Sequence, residues 1–350
     1  MARLITGTGS YLPPHEVSNR DLERYVENFD AAQAGSDLDG WIRRRYGIRV
    51  RHWAAPEEST GDMALVAARR ALASAELEPK DLDLIVMSTA TTDAVAPHSV
   101  SHVQAELGSG AVFHQLQDAC PGFLNALIVA DSLMANLGYR RALVVAAEKM
   151  THIVDKRDFR MIGLFADGAG AVVLEDVDVP EVPRGPAGFR SFYAGSDGKA
   201  GHALRVPAGG TRRPLTAERI AAGEHFLISD FREVYPFAVR TTQRCIEEAV
   251  RRSGLAVPDV DWVIPHHASA NIIQDGVGQA GVRSEQVLLA IEHTGNTSSA
   301  SVPTCLDEEV RAGRFRDGEH VVLLALGGGM GWGSTLYRWV SPARARAGRR

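Results

Sequence analysis

Cys120 is the residue whose type and setting best suit covalent chemistry. It stands in Asp118-Ala-Cys-Pro-Gly, just before a helical run in which Pro121 suits the first turn. A thiol at a helix start lies beside unpaired backbone N–H groups and the positive end of the helix dipole, which favour the nucleophilic thiolate. The alternative is a small buried core residue, the role of most free cysteines and the one predicted for Cys245 and Cys305.

Three other segments carry groups that could act on a bound substrate. His266 and His267 follow the apolar run 261–265, and catalytic groups of α/β proteins collect at the carboxyl ends of strands. Asn296 lies in a polar turn at a helix start, where its amide could donate to a carbonyl oxygen or could cap the helix. The glycine-rich residues 327–333 follow another strand, and their backbone N–H groups could approach an oxyanion.

An internal repeat with an offset of 178 residues positions these groups. Residues 71–86 and 249–264 each indicate the end of an amphipathic helix, a Pro-containing turn and a continuous apolar strand. The strands that begin at Ala142 and His320 keep this offset. Cys120 therefore corresponds to Ser298, and we expect the cysteine and the segment after Asn296 to meet near the axis that relates two α/β halves.

The halves are predicted to be residues 1–178, which carry the cysteine, and residues 179–350, which carry His and Asn. Residues 175–225, rich in Pro, Gly and Arg, predict a surface excursion between them. Residues 20–60 and 91–104 are interpreted as inserts that could form the wall or lid of a pocket.

Composition and charge exclude several classes of protein. The 350 residues are 45% hydrophobic and 23% charged with a net charge of -5, so no basic field is present to hold a nucleic acid. Scattered cysteines without a CxxC pair argue against a disulfide framework or a zinc site and favour a reducing cytoplasm. We expect no membrane span, because no stretch reaches about 18 apolar residues. The basic tail is interpreted as a frayed, solvated end: Arg344, Arg346, Arg349 and Arg350.

Together, these motifs resemble the β-ketoacyl-ACP synthase III enzymes of the thiolase superfamily. The resemblance runs nearly from end to end, in the order and spacing of that family. It rests on GTGSYLP (7–13), WIRRRYGIRVRHWAAPEEST (41–60), DACPGFLNAL around the cysteine, ADGAGAVVL (166–174), IPHHASANII (264–273), HTGNTSSASVP (293–303) and LGGGMGWGS (326–334).

The resemblance implies a thiolase-like, five-layer αβαβα fold, a homodimer and a catalytic triad of Cys120, His266 and Asn296. His266 is preferred to His267 because the histidine of the family directly follows the Pro. An acyl-CoA or acyl-carrier-protein thioester would acylate the cysteine without any cofactor or metal, and the N–H groups of Cys120 and Gly328 would hold the oxyanion. His266 and Asn296 would then stabilise the enolate formed by decarboxylation of a malonyl-type thioester.

The residues that would bind CoA or a carrier protein depart in part from the family pattern. Trp41 and Arg45 keep the wall for the CoA nucleotide, whereas His152 stands where an Arg is common. Ser269 replaces an Asn that contacts the pantetheine arm, and Asn271 replaces an Arg associated with carrier docking.

Ala96 stands where a Phe narrows the acyl pocket of the partner subunit in the family. We therefore expect Claisen condensation of an acyl group larger than acetyl, in specialised lipid or polyketide biosynthesis. Two alternatives remain: transfer of the acyl group to a hydroxyl or amine, and an inactive partner subunit of a condensing heterodimer. The second is disfavoured because all three triad residues are retained.

Overall fold

Two β-sheets form the framework of the protein in the computed structural model, which describes residues 2–178 and 181–349. The first sheet has the strand order β1-β7-β6-β4-β5 and the second the order β11-β12-β13-β8, with two small two-stranded sheets beside them. The strands are β1 (Ala2–Tyr11), β2 (His15–Ser18), β3 (Val50–Trp53), β4 (Leu84–Ser88), β5 (Val112–Leu116), β6 (Arg141–Lys149), β7 (Asp167–Val177), β8 (Gly188–Ser196), β9 (Leu204–Arg205), β10 (Ile228–Ser229), β11 (Trp262–Pro265), β12 (His320–Gly327) and β13 (Gly331–Arg338).

The α-helices range from single turns to the long α8. They are α1 (Ala31–Ala34), α2 (Leu38–Tyr46), α3 (Thr60–Ala75), α4 (Ser99–Leu107), α5 (Gly122–Leu137), α6 (Phe159–Ile162), α7 (Ala217–Ala221), α8 (Phe231–Arg252), α9 (Ala270–Gln279), α10 (Ile291–Thr294), α11 (Ser301–Arg311) and α12 (Pro342–Arg346). Within the described residues, none of these helices combines the length and apolar character needed to cross a membrane.

Helices α5 and α11 lie between the two large sheets, and the other long helices cover the outer faces. One core cluster joins Phe123 of α5 and Leu306 of α11 to strands of both sheets. A second cluster packs α3 and α4 on the first sheet, and a third packs α8 and α9 on the second. Because both faces are covered, strands such as β4 and β12 are apolar along their length. The predicted five-layer αβαβα fold is confirmed.

The two large sheets share one topology. In the first, β4 runs parallel to β6, which pairs antiparallel with β7, which pairs antiparallel with β1. In the second, β11, β12, β13 and β8 repeat these relations in the same order. Strands β4 and β11 begin at Leu84 and Trp262, at the predicted offset, so the fold is built from two copies of one plan. The boundary between residues 178 and 179 falls at a segment outside the described residues and stays a prediction.

The prediction of a surface excursion over residues 175–225 is wrong for its central part. Residues Gly188–Ser196 form β8, the edge strand of the second sheet, which pairs antiparallel with β13. Tyr193 of this strand is buried in the cluster that also contains α8 residues. The pairing with β13 determines that residues 188–196 form a strand, although the flanking residues are rich in Pro and Arg.

The basic tail is not a frayed end where the structure describes it. Helix α12 buries Ala345, and three arginines pair with acidic residues of the folded body. The pairs are Arg344 with Asp317, Arg346 with Glu76, and Arg349 with Glu175. The prediction for the tail is therefore wrong for residues 342–349, while Arg350 lies outside the described residues.

The two predicted inserts meet where the Thr60 hydroxyl donates to the Thr91 carbonyl at 2.6 Å. Residues 20–60 contribute α1, α2 and β3, and buried residues such as Ile42 and Trp53 pack with Ile162 in a separate cluster. Residues 91–104 contain an exposed loop, residues 93–98, followed by the start of α4. Val95 in this exposed loop is 96% exposed.

Strand β1 packs against α3 through a glycine. A Cβ on Gly9 would lie 2.4 Å from the backbone nitrogen of Ala71 and 2.5 Å from the carbonyl oxygen of Ala67. These are helix backbone atoms, so the clash requires α3 to shift. We expect Gly9→Ala to lower the free energy of unfolding by about 1–3 kcal/mol in urea denaturation. Gly110→Ala, whose Cβ meets no heavy atom within 4 Å, is the control, and equal losses in both variants would contradict the prediction.

Candidate active site

Cys120 lies between strand β5 and helix α5, in a loop that contains one left-handed residue and packs against the backbone of β12. Ala119 has a left-handed conformation, with φ of 48°, and turns the chain into Pro121, which caps α5. The Gly327 backbone lies directly against the thiol. A Cβ at Gly327 would lie 2.5 Å from Cys120 Cβ and 2.7 Å from Sγ, so a glycine is required there.

Burial raises the pKa of the Cys120 thiol to about 11, and the nearby Glu148 carboxyl acts in the same direction. The Ser298 hydroxyl, 3.6 Å from Sγ, and the backbone N–H groups of Gly328 and Cys120 oppose this shift. The predicted helix start and its amides are therefore present and favour the thiolate, as expected, but burial acts against them. Desolvation outweighs the amides, so the pKa of the thiol stays above its ordinary value.

His266 lies at the carboxyl end of β11, where burial lowers its pKa to about 4. The ring is therefore neutral at pH 7. Its Nδ1 lies 2.7 Å from the hydroxyl oxygen of Ser301. His267 is also fully buried, but its Nε2 accepts from the backbone N–H of Ala290 at 3.4 Å.

Asn296 is fixed by hydrogen bonds at both its backbone and its side chain. Its N–H donates to the Leu164 carbonyl at 3.0 Å, and its carbonyl accepts from Ala166 at 2.9 Å. Its Oδ1 accepts from the backbone N–H of Ser298 at 2.8 Å. The side-chain oxygen therefore caps the following turn, which is one of the two roles that the sequence suggested. The amide nitrogen of the same side chain can donate to a ligand.

Cys120, His266 and Asn296 line one pocket with an empty volume of about 770 Å³ including its open mouth. We call it the triad pocket. His267 is not among the described residues that line it. Its other lining residues are mainly apolar: Arg45, Tyr46, Leu164, Phe165, Leu204, Ser229, Phe231, Val234, Tyr235, Phe237, Ala238, Ala268, Ser269, Ile272, Leu326, Gly327 and Met330.

The residues predicted to bind CoA are only partly gathered at this pocket. Arg45 lines it and lies over the Tyr235 ring, 5.9 Å from the ring centroid. Ser269 lines it too, and its hydroxyl caps α9 by accepting from the Ile272 N–H. Trp41 packs edge-on against neighbouring aromatic rings, and His152 is exposed in a short turn. A role in CoA binding stays a prediction for these residues.

A second pocket opens on another side of Cys120, with an empty volume of about 920 Å³ including its open mouth. We call it the apolar pocket, after the side chains that dominate its wall. Gly328 and Ser298 border it beside the thiol. Its other lining residues are Ala90, Gln117, Ala119, Met150, Ile153, Phe165, Leu204, Arg205, Val206, Leu227 and Gly329. Ala96, which is predicted to border the acyl pocket of the partner subunit, does not line this pocket of its own subunit and lies in the exposed loop.

Glu148 is a site residue that the sequence reasoning missed. It is fully buried on β6, and burial raises the pKa of its carboxyl. Oε2 accepts from the Thr91 hydroxyl at 2.9 Å and the Ala90 N–H at 3.0 Å, while Oε1 accepts from the Ser299 hydroxyl at 2.7 Å. Its signal in the sequence is an acidic residue that directly follows the apolar run of a buried strand.

The contact between Cys120 and Ser298 confirms the juxtaposition that the internal repeat predicts. The two residues are separated by 178 positions, and their side chains are in contact. Ser298 has a left-handed backbone, with φ of 51°, which directs it to this place. No group of three or more potential metal ligands occurs within residues 2–178 and 181–349.

Comparison with known proteins finds relatives from the family that the sequence motifs resemble, and they align with almost the whole chain. Family models for 3-oxoacyl-[acyl-carrier-protein (ACP)] synthase III and for its C-terminal part match residues 115–198 and 250–339. The β-ketoacyl-[acyl-carrier-protein] synthase III of Symbiobacterium thermophilum is 39% identical over 337 residues, which cover 96% of this chain and 97% of that protein. The chain belongs to the β-ketoacyl-ACP synthase III family. The relative from Alkalilimnicola ehrlichii is also 39% identical, with 97% and 99% coverage.

Solved structures of this family superpose on the chain from end to end. The 3-oxoacyl-[acyl-carrier-protein] synthase III of Aquifex aeolicus has a TM-score of 0.84 at 32% identity and covers 96% of this chain and 100% of its own. The priming β-ketosynthase of the R1128 polyketide pathway has a TM-score of 0.86 at 32% identity, with 97% coverage of each chain. The chain is therefore an acyltransferase of the thiolase superfamily.

Covalent loading tests the role of Cys120 in this family member. We expect Cys120→Ala to abolish the mass increase seen when the wild type is incubated with acyl-CoA, because the thioester bond forms at Sγ. Cys245→Ala should load normally, since that thiol is buried in the core formed with α8. The measurement is intact-protein mass spectrometry. An adduct that persists on Cys120→Ala would overturn the assignment.

Proposed function

We propose that this enzyme carries an acyl group larger than acetyl on Cys120 and joins it to a second thioester by Claisen condensation. The observation that carries this proposal is the position of the thiol between two pockets. One pocket contains His266 and Asn296 among apolar side chains, and the other is bordered by Met150, Ile153 and Leu227 without either triad partner. This arrangement supplies separate places for an extender thioester and for an acyl chain.

In the first half-reaction, the neutral His266 accepts the thiol proton as Sγ attacks the thioester carbonyl. The negative charge of the tetrahedral intermediate develops on the carbonyl oxygen. The N–H groups of Cys120 and Gly328, which already act on the sulfur, support the prediction that they stabilise this oxygen. The intermediate collapses to acyl-cysteine, and the departing thiolate takes up the proton.

In the second half-reaction, a malonyl-type thioester occupies the triad pocket and loses CO2. The amide nitrogen of Asn296 donates to the thioester carbonyl and stabilises the enolate. The carbanion attacks the acyl-cysteine carbonyl, so a carbon–carbon bond forms and the bond to Sγ breaks. The released Cys120 thiolate takes up one proton from solvent, which completes the cycle.

The substrates proposed here are thioesters of CoA or of an acyl carrier protein, with no additional cofactor. Relatives are named for acyl carrier protein, and the R1128 enzyme is a priming β-ketosynthase of polyketide assembly. These names support a role in specialised lipid or polyketide biosynthesis. A homodimer is also proposed, because the exposed loop around Ala96 and the exposed Val112 on edge strand β5 are open to a second subunit.

A second candidate is transfer of the acyl group to a hydroxyl or amine. It is favoured by the positions that depart from the family pattern for carrier docking. Asn271 donates to the backbone carbonyl of Arg44 at 3.1 Å, so it ties α9 to α2 where a docking Arg was expected. A reaction with a hydroxyl or amine acceptor would not require an Arg at position 271, because no carrier protein would have to dock there.

Variants at Asn296 separate the two half-reactions. Asn296→Asp keeps an oxygen to accept from Ser298 N–H but loses the amide donor, and Asn296→Ala loses both. We expect both variants to acylate Cys120 within a few-fold of the wild-type rate and to lose decarboxylation of malonyl thioester by about 10²–10³. Acylation is followed by mass spectrometry and decarboxylation by CO2 release.

Asn271→Ala is the matched control for these amide substitutions, and it should retain decarboxylation. Equal loss of both half-reactions in Asn296→Asp would place the residue in the local fold. Formation of an ester or amide by the wild type, without any carbon–carbon product, would establish the second candidate.

Acyl-chain length tests the role of Ala96. If the exposed loop reaches the apolar pocket of the partner subunit, an aromatic side chain there would remove room for several methylenes, each worth about 0.8 kcal/mol when buried. We expect wild type to load octanoyl faster than acetyl groups, and Ala96→Phe to lower that ratio by about a hundredfold. Ala96→Ser should leave it unchanged. An unchanged ratio in Ala96→Phe, in samples shown to be dimeric by light scattering, would contradict the prediction.

A further inference from the structure

Residues 163–167 form a backbone segment against which Asn296 is held, and we call it the support segment. The Asn296 N–H donates to the Leu164 carbonyl at 3.0 Å, and the Asn296 carbonyl accepts from the Ala166 N–H at 2.9 Å. Gly295 fits closely against the same segment, since a Cβ on it would lie 2.9 Å from the Ala166 Cβ. The position of the Asn296 side chain therefore depends on the position of the support segment.

A buried arginine holds the start of the support segment. Arg51 of β3 is fully buried, and its Nη2 donates to the Gly163 carbonyl at 3.0 Å and to Asn19 Oδ1 at 2.6 Å. Its Nη1 donates to the Val17 carbonyl at 3.3 Å. Burial lowers the pKa of this guanidinium to about 9, so the group is still charged at pH 7. Because hydrogen bonds from charged donors are the stronger ones, the Gly163 carbonyl is bound firmly.

A buried carboxyl group holds the other end of the support segment. Asp167 is fully buried, and its Oδ1 accepts from the Thr151 N–H at 2.9 Å. Its Oδ2 accepts from the Thr151 hydroxyl at 2.6 Å and from the Ala54 N–H at 2.8 Å. Ala54 directly follows β3, so residues 51–54 bind the support segment at both of its ends.

We propose that Arg51 and Asp167 are positioning residues that hold the support segment at its two ends and thereby direct the Asn296 amide at the second thioester. Neither residue is among the described residues that line the triad pocket or the apolar pocket, so both act through the backbone between them. The insert over residues 20–60 then serves the chemistry as well as the pocket wall expected from the sequence. The inference rests on the proposed function, because decarboxylation is the step that uses the Asn296 amide.

Arg51→Lys tests the proposal by comparing the two half-reactions. The variant keeps the positive charge but replaces the planar fork that joins Gly163 to Asn19 with a single ammonium, so the support segment can shift. A displacement of about 1 Å can cost a reaction about 10²-fold. We expect decarboxylation of malonyl thioester, followed by CO2 release, to fall by at least about tenfold. Acylation of Cys120, followed by mass spectrometry, should change by less than about threefold, and equal slowing of both steps would contradict the proposal.

A double variant distinguishes positioning of the amide from a general effect on the fold or on the shape of the pocket. If Arg51 acts only through the Asn296 amide, then Arg51→Lys should cause no further loss of decarboxylation in the Asn296→Ala background. Additive losses would overturn the proposal, because they would show an effect that does not pass through the amide.

Arg338→Lys is the matched control, because Arg338 is also buried and its guanidinium also binds a backbone carbonyl, that of Pro186 at 3.0 Å. Arg338 ends β13 and is not among the described residues that line either pocket. This variant should keep both half-reactions within about threefold of the wild type. If it lost as much decarboxylation as Arg51→Lys, the effect would belong to any buried arginine, and the proposal would fail.

Thr151→Val tests the other end of the support segment, including the case in which Arg51→Lys does not fold. It removes the hydroxyl donor to Asp167 Oδ2 and keeps the backbone N–H donor to Oδ1. We expect decarboxylation to fall by about threefold with acylation unchanged, and no further loss in the Asn296→Ala background. Wild-type decarboxylation in this variant would count against the role of Asp167.

Hydrogen exchange is a second readout that does not depend on the reaction. The N–H groups of Asn296 and Ala166 are protected by the hydrogen bonds that join them. Peptides that contain residues 163–167 and 295–299 should exchange about tenfold faster in Arg51→Lys than in Arg338→Lys. Equal exchange in the two variants would refute the proposal. Failure of the wild type to release CO2 from malonyl thioester would refute the proposed function while leaving this comparison intact.

Discussion

Desolvation of the polar groups between the two halves is the constraint on which the chemistry of this protein depends. Cys120, Glu148 and His266 are all buried, and burial shifts the pKa of each toward its neutral form. A neutral thiol beside a neutral imidazole is a resting state that reacts only when a proton can move. The fold therefore has to supply hydrogen bonds of fixed direction in place of water.

Small residues make this dry centre possible because they let the two halves approach closely. A Cβ on Gly122, the first residue of α5 after the nucleophile loop, would lie 1.8 Å from the Ser88 hydroxyl of the same half. Gly327 has the same relation to Cys120 from the opposite half. Gly170 of β7 lies against Pro303 of α11 in a similar way. A larger residue at Gly327 or Gly170 would push the two halves apart, and one at Gly122 would displace α5 from β4.

The sequence predicted the parts of the structure that follow from periodicity and duplication. Continuous apolar strands and the offset of 178 residues gave the two sheets and the meeting of Cys120 with Ser298, because duplicated elements repeat both their packing and their pairing. The motif around Pro265 placed one histidine in the triad pocket beside Asn296. These signals are local in sequence, and so they could be read without knowledge of long-range contacts.

The parts that the sequence did not predict depend on distant partners. Strand β8 forms because β13 presents an open edge, and Arg349 is ordered because Glu175 lies beside it. Glu148 stands 150 residues from Ser298, and nothing in its own segment shows that hydroxyl groups surround it. The sequence also did not predict that the pKa of Cys120 is raised. The helix start can be read from the sequence, but the depth of burial cannot.

The separation of the two pockets by the thiol has a consequence for how the enzyme can change its substrates. The apolar pocket is bordered by side chains such as Ile153 and Leu227, whereas the triad pocket contains the hydrogen-bonded groups. On the proposal that the apolar pocket holds the acyl chain, substitutions in its wall change the volume for that chain by a methylene or more without altering a proton position. A change beside His266 or Asn296 instead disturbs buried hydrogen bonds, such as those to Ser301 and Ser298. Acyl specificity can therefore vary while the chemistry at Cys120 stays constant.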